Sequence, residues 1–421
     1  MNILIFEVSY MVLKTLLILT VLLRPDFSVA DERCQGPISS YQEVIRCAET
    51  KSPEVQRALL ELERAKSHVA AAGQWRNPEL SADSYHGTVA SERSSETEIS
   101  LGVPVELGGK LSARTAVAEG GVAKAEAELF EARAKVRSTT LLKLHRLRQL
   151  IHEQEVIEES ISTFSKLVSQ YSKRLKLSPE QEMTVAVFRM SKSEYDLKKV
   201  ETLDELLALD SYLKVALGTS IEALKQNLPA SPKAWPKIDP SVTPANSPRL
   251  RLAQAELASA HAELSLAQSE SWPTLTVGPS VKIQSAAGRS DQLYGFNLSF
   301  PLPVFNANGP GRVAAAAGVK LAETGKNLAL LEQEKLREEL ARTYQQSVSV
   351  LATTLSHQEI EKKHHDIERL FLRGIVPSAL VIEAHRTFVE LEKSRNAREF
   401  KALEALMTIY TFDGKTAEII Q

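Results

Sequence analysis

Period-two alternation in the second half of this chain constrains its fold more than any other feature. Leu275, Val277, Val281 and Ile283 point one way, and Thr274, Thr276, Gly278, Ser280 and Lys282 the other. After a loop of Ser, Ala, Gly and Asp, Tyr294, Phe296, Leu298, Phe300 and Leu302 alternate with Gly295, Asn297 and Ser299. Two such runs of roughly ten residues predict a β-hairpin. Roughly ten residues is also the length of a tilted strand that crosses a bilayer. Taken alone, the stretch fits the edge hairpin of a soluble sheet better.

The rest of the chain decides between these readings, because the unit is written twice. Ser52-Pro53 and Ser247-Pro248 each open a helical stretch, and Pro78 and Pro273 end them, both pairs of prolines standing 195 residues apart. A weaker alternating pair precedes Pro104: the outgoing strand is expected near Leu80 to His86, and Ile99, Leu101, Val103 and Val105 then oppose Glu98, Ser100 and Gly102. Glycine turns follow at Gly108-Gly109 and Gly309-Pro310-Gly311, Pro179 and Pro377 each interrupt a long helix, and Gly218 and Gly414 end the copies.

The predicted organisation is a signal peptide over 1–30, a first repeat over 31–218, a proline-rich linker over 219–246, a second repeat over 247–414 and a tail over 415–421. Strands are expected at about 79–87, 96–105, 274–284 and 292–302. Long helices are expected at about 109–177, 179–217, 311–373 and 377–412.

Lys14 precedes the apolar run Thr15 to Leu23, and Ser28-Val29-Ala30 supplies small residues before Asp31, the pattern of a cleaved secretory leader; either Met1 or Met11 fits as the start. The run is short for a bilayer-spanning helix. In the oxidising compartment this implies, Cys34 and Cys47, the only cysteines, suit a disulfide. No apolar run of about 20 residues follows, so any membrane crossing falls to the strands.

Aromatics at 6% and an abundance of Ala, Leu, Glu, Lys and Arg suit extended helices rather than a thick globular core. A net charge of −2 gives no electrostatic reason to expect nucleic acid. The proline-free segment from about Lys110 to Leu177 spans roughly 100 Å as one helix. Ile157, Ile161, Phe164, Val168, Tyr171 and Leu175 step as a heptad seam, whereas Leu336, Leu340, Tyr344, Val348, Leu351 and Leu355 drift towards steps of four. The mixture predicts helices that touch neighbours on two sides. Ala-rich segments beside the glycine turns predict the tightest helix packing next to the strands.

Four membrane-length strands cannot close a barrel alone, and open edges in lipid leave backbone groups unpaired. Self-association is therefore required. Two copies give eight strands, whose interior side chains fill, and three give twelve, which leave a passage. Lys282, Asn297 and the Ser and Thr positions suit a wetted interior, with Tyr294, Phe296, Leu298 and Phe300 on the lipid side.

The doubled plan resembles the TolC-type outer-membrane efflux channels across essentially the whole mature chain. "NPEL" at the first strand, "PVELGGK" from Pro104 to Lys110 and "PLPVFNANGPG" from Pro301 to Gly311 resemble its CzcC branch, the cation-efflux components. The resemblance implies a mainly α protein with membrane β: a homotrimer whose twelve-stranded barrel sits in outer-membrane lipid above a periplasmic helical barrel. It further implies a periplasmic adaptor and an inner-membrane pump of the resistance-nodulation-division class as partners.

By the same resemblance the turns far from the membrane meet the adaptor: Arg174, Leu175, Leu177, Ser178 and Pro179 in the first copy, and Arg373, Gly374, Pro377 and Ser378 in the second. It also implies an acidic constriction just beyond each turn, matched by Glu182 and Glu383, with Leu380 standing where a further acidic residue is expected.

His357 and His364 are a heptad apart, as are His145 and His152, and His365 adjoins His364. Seven residues place two imidazoles about 10 Å apart on one helix, so spacing along a helix assembles no metal site, and neither a metal site nor a cofactor is expected. No phosphate loop, nucleophile elbow or metalloprotease helix occurs, which argues against an enzyme. The expected function is passive export of heavy-metal cations, with a multidrug duct of the same fold as the alternative. A periplasmic adaptor would need an interrupting β domain, and a structural coiled-coil protein would leave both strand pairs unused.

Overall fold

The computed structural model describes residues 40–89, 92–218, 220–244, 246–286 and 288–415. The leader over 1–30, Cys34 and the tail beyond Lys415 lie outside them. The first copy contains α1 (Tyr41–Lys51), α2 (Pro53–Ala72), β1 (Glu79–Val89), β2 (Glu92–Glu106), α3 (Lys110–Ser172) and α4 (Pro179–Leu217). The short α5 (Ile221–Leu224) opens the linker. The second copy contains α6 (Pro248–Ser269), β3 (Thr274–Ala286), β4 (Arg289–Ser299), α7 (Gly309–Thr353), α8 (His357–Leu372) and α9 (Ser378–Phe412).

The strands form one antiparallel sheet in the order β1-β2-β3-β4. Both hairpins are local, but the β2–β3 junction joins the two copies, so the sheet exists only when both halves fold together. Its register aligns the alternation of all four strands. Ala82, Ile99, Val281 and Tyr294 make one cross-strand row, and Val103, Val277 and Leu298 another. The intervening rows are polar: Ser81, Ser100, Ser280 and Gly295, then Tyr85, Glu96, Gln284 and Asp291.

The junction of sheet and helices explains the motif strings. Glu106 of "PVELGGK" accepts from Arg76 at 2.9 Å and from Arg114 at 3.0 Å, and Arg114 also donates to the Ala72 and Gln74 carbonyls. Lys110 Nζ reaches Thr274 Oγ1 of the other copy at 3.1 Å. Gly108, at φ +71°, lies so close to Trp272 that a Cβ there would stand 2.4 Å from the indole. In "PLPVFNANGPG", Asn308 Nδ2 donates to the Ala267 carbonyl and to Glu270, both at 2.9 Å, which ties the start of α7 to the end of α6. The close helix approach expected beside the strands is present, since a Cβ on Gly120 of α3 would stand 3.0 Å from Cα of Ser259 in α6.

α3 is 63 residues long, about 95 Å at the helical rise. It packs on α2, α6, α4 and α9. Ile157 and Phe164 of the expected seam are fully buried, in a cluster with Phe188, Tyr195, Ile360, Phe388 and Val389, whereas Leu175 is fully exposed.

Three expectations require correction. The helix expected through 311–373 is two helices, broken over Thr354–Ser356. Ser356 caps α8 by accepting from the Glu359 amide while Glu359 accepts from the Ser356 amide, a reciprocal pair strong enough to restart the helix without proline or glycine. The buried stripe of α7 is Gln333, Arg337, Ala341, Tyr344, Ser347 and Leu351; it keeps Tyr344 and Leu351 of the expected series, but Leu336 and Leu355 stay exposed on the single chain. Arg337 and Tyr344 can occupy that stripe because the linker and the end of α9 supply partners for them. Finally, α1 precedes the first expected helix and buries Val44, Ile45, Cys47 and Ala48. The linker beyond α5 runs in extended form against the helices: Arg148 donates to the Pro229 carbonyl, Tyr344 Oη to that of Pro236 and Gln345 to that of Ile238.

Candidate functional site

The sheet presents two chemically different faces. Leu80, Ile99, Leu101, Val103, Tyr294, Phe296 and Leu298 are all exposed, so these apolar side chains are left uncovered by the described residues. On the opposite face Glu96 binds Lys282 and accepts from Gln284 at 3.0 Å. Serines and this charge network provide donors and acceptors for water, while the opposite face carries few polar groups, among them the Tyr294 hydroxyl, Ser84 and Thr97. β1 and β4 are the free edges.

At the helix tips, α3 ends at Ser172 and α4 restarts at Pro179, with Ser178 accepting from the Gln181 amide and Gln181 from that of Ser178. Arg174, Leu175, Ser178 and Pro179 are exposed and Leu177 is half-buried. The second tip turns at Gly374, φ +73°, before Pro377 opens α9; Arg373, Gly374 and Pro377 are exposed and Ser378 is half-buried. Each turn thrusts one large apolar side chain into solvent, Leu175 at 105% and Ile375 at 64% of full exposure. Ile375 was not among the expected contact residues, and its place 200 residues after Leu175 was the available signal. Glu182 and Glu383 are both exposed, the first in the first turn of α4 and the second in the second turn of α9, and Glu383 is paired with Arg386 at 2.8 Å.

The histidines are not scattered. Helices α3, α8 and α9 bring them together in two layers, one heptad apart. The first holds His152, His357 and Glu392, with His357 Nδ1 2.5 Å from the buried Glu392 carboxylate. The second holds Glu159, His364, His365 and Glu368, backed by His385. Burial, followed by the nearness of His385, pushes His364 down to about 4. Hydrogen bonding from His385 holds the Glu368 carboxyl down at about 2, while burial and then the Glu368 charge raise that of Glu159. Residues on one helix could not reveal this convergence, which depends on how three helices dock. His145 is outside both layers; burial first and Arg148 second push it down to about 3. Cys47 is disulfide-bonded, and Cys34 lies outside the described residues.

Among the described residues no helix is long and apolar enough to cross a membrane. The family model described as outer membrane efflux protein matches residues 44–176. The chain is 25% identical over 309 residues to the cobalt-zinc-cadmium resistance protein CzcC of Cupriavidus metallidurans, across 68% of this chain and 71% of that protein. The fold matches the outer membrane protein VceC of Vibrio cholerae at a TM-score of 0.67 and 16% identity, covering 89% of this chain and 96% of VceC. It matches CusC at a TM-score of 0.65 and 14% identity, over 90% and 93% of the two chains. With its doubled helical body and four-stranded sheet, the chain has the fold of these outer membrane channels, and residues 44–176 carry the match to the outer membrane efflux protein model.

Proposed function

We infer that this outer-membrane channel is the passive export duct of a tripartite pump for heavy-metal cations. The observation that carries the duct is the register of the sheet, which sorts four strands into one apolar and one wet face while leaving two edges to be closed by other copies. Three copies make twelve strands, enough for a water-filled passage. The cation substrate is supported by likeness to a protein named for cobalt, zinc and cadmium resistance. The chain carries no motif for coupling an energy source, so the driving force comes from an inner-membrane pump through a periplasmic adaptor.

The adaptor docks on the tip turns, where Leu175 and Ile375 offer apolar anchors that water would otherwise surround. In a strain lacking this gene, the wild-type chain is expected to restore tolerance of cobalt, zinc or cadmium. The Leu175→Asp/Ile375→Asp variant is expected to form trimers normally and restore none. Restored tolerance of organic drugs but of no metal would sink the cation assignment, and full activity of the variant would move the adaptor elsewhere.

Glu182 and Glu383 form the constriction in this reading, giving six carboxylates per trimer that favour cations. Their replacement by Gln is expected to reduce cation preference in planar bilayers. Unchanged conductance and selectivity would remove both from the gate.

A further inference from the structure

The second histidine layer has the makings of a metal site that the duct function does not call for. Glu159 comes from α3, and His364, His365 and Glu368 come from α8, where spacings of three and four place them on one face. His365 Nδ1 lies 3.6 Å from Glu159 Oε1 and 3.9 Å from Glu368 Oε2, and His364 Nδ1 lies 3.9 Å from the same Glu159 oxygen. Ligands held about 2.0–2.2 Å from a tetrahedral zinc ion stand about 3.3–3.6 Å apart. These three pairs need to close by only a few tenths of an ångström, and the four ligand atoms all lie within 4.8 Å of one another, so small side-chain rotations bring the remaining pairs into range.

The supporting hydrogen bonds prepare these atoms for a cation. His364 is 4% exposed, yet its Nδ1 has no hydrogen-bond partner among the described residues. Its Nε2 lies 3.1 Å from Nδ1 of the fully buried His385, whose Nε2 lies 3.3 Å from Glu368 Oε1. These contacts are satisfied when His364 donates from Nε2 to His385 and His385 donates to Glu368. His364 Nδ1 then carries a lone pair directed at the carboxylates. Thr163 Oγ1 also donates to Glu368 Oε1 at 2.9 Å, which leaves Oε2 for a ligand. An imidazole fixed through its other nitrogen, and a carboxylate fixed through its other oxygen, is how metal ligands are normally oriented.

We propose that Glu159, His364, His365 and Glu368 bind a divalent transition cation of the zinc class, with His385 as the positioning residue. Two imidazoles and two carboxylates suit Zn²⁺ or Co²⁺ and discriminate against Ca²⁺ and Mg²⁺, which prefer all-oxygen shells. The first layer is not included, because His357 Nδ1 is already engaged by Glu392. The site joins α8 to α3 between the break at Thr354–Ser356 and the turn at Gly374, so an occupied site stiffens the stretch leading to the tip.

The proposal stands on side-chain geometry and is separable from the transport reading: binding is measured on purified protein, tolerance in cells. Full-length protein in detergent, stripped with a chelator, is titrated with Zn²⁺ and with Co²⁺, following retained metal by dialysis and the visible Co²⁺ spectrum. Wild type is expected to bind with micromolar or tighter affinity and show an intense tetrahedral Co²⁺ band. His365→Ala and Glu159→Gln are each expected to weaken binding at least tenfold. His365 is 55% exposed at its side chain, so its removal leaves the fold intact. His68→Ala, on the exposed face of α2, serves as control and is expected to change nothing. Absence of binding by wild type, or equal binding by wild type, His365→Ala and Glu159→Gln, overturns the assignment.

Discussion

Replacing Gly278 with valine is expected to eliminate the heat-modifiable trimer from the outer-membrane fraction. Gly278 is in β3, between β2 and β4, opposite Asn297. A Cβ built there would stand 1.6 Å from the Leu101 carbonyl oxygen and 2.8 Å from its carbon. Both are backbone atoms, so no side-chain rotation relieves the clash. Relief requires β2 and β3 to separate at the junction between the two copies, where hydrogen bonds in lipid have no water to replace them. Overpacking in ordinary cores costs about 1–3 kcal/mol, and here a rigid obstacle recurs in every copy of the barrel. Gly87→Val is the matched control, because nothing lies within 4 Å of a Cβ at Gly87. Normal trimer levels for the Gly278 variant would show that the two strands are not this close.

Arg337→Ala is expected to produce the second large effect, on the stability of the helical body. Arg337 is 2% exposed; its Nε and Nη2 donate to Asp413 at 2.8 and 2.9 Å, and Nη1 donates to the Asp239 carbonyl at 2.8 Å. One guanidinium thereby holds α7, the end of α9 and the linker together. Truncation leaves the largely buried Asp413 without its counter-charge, and breaking such a pair costs about 3–5 kcal/mol. Arg337→Lys keeps the charge but cannot make three directed bonds, so an intermediate loss is expected. The double variant Arg337→Met/Asp413→Leu is expected to recover most of the stability, because it removes both charges together. Thermal melts of the helical circular dichroism signal in detergent measure all three. Melting of the Ala variant at the wild-type temperature would show that the pair is dispensable.

Much of the fold was legible because the strongest local signals were also the true ones. Prolines 195 residues apart marked the repeat, and the alternating runs marked strands whose side chains the sheet sorts as expected. The break in the second long helix was legible too, as Ser356 followed three residues later by Glu359, but without proline or glycine it was hidden inside a continuous helical pattern. The series expected on α7 misled in part because periodicity identifies an apolar stripe without saying which neighbour covers it: Tyr344 and Leu351 are buried, but Gln333 and Arg337 are buried where Leu336 is exposed.

The sequence by itself determined the parts: repeats, strands, turns and helices, each governed by restrictions that act within a few residues. Only the tertiary structure decided which parts meet. Pairing β2 with β3 joins segments about 180 residues apart in the chain. Likewise His364, His365 and Glu368 share one face of α8, but the cluster is incomplete until α3 supplies Glu159 and α9 supplies His385. Helical periodicity repeats along one axis, whereas a site needs atoms from several axes within a few ångströms of a single point, and that convergence is set by packing.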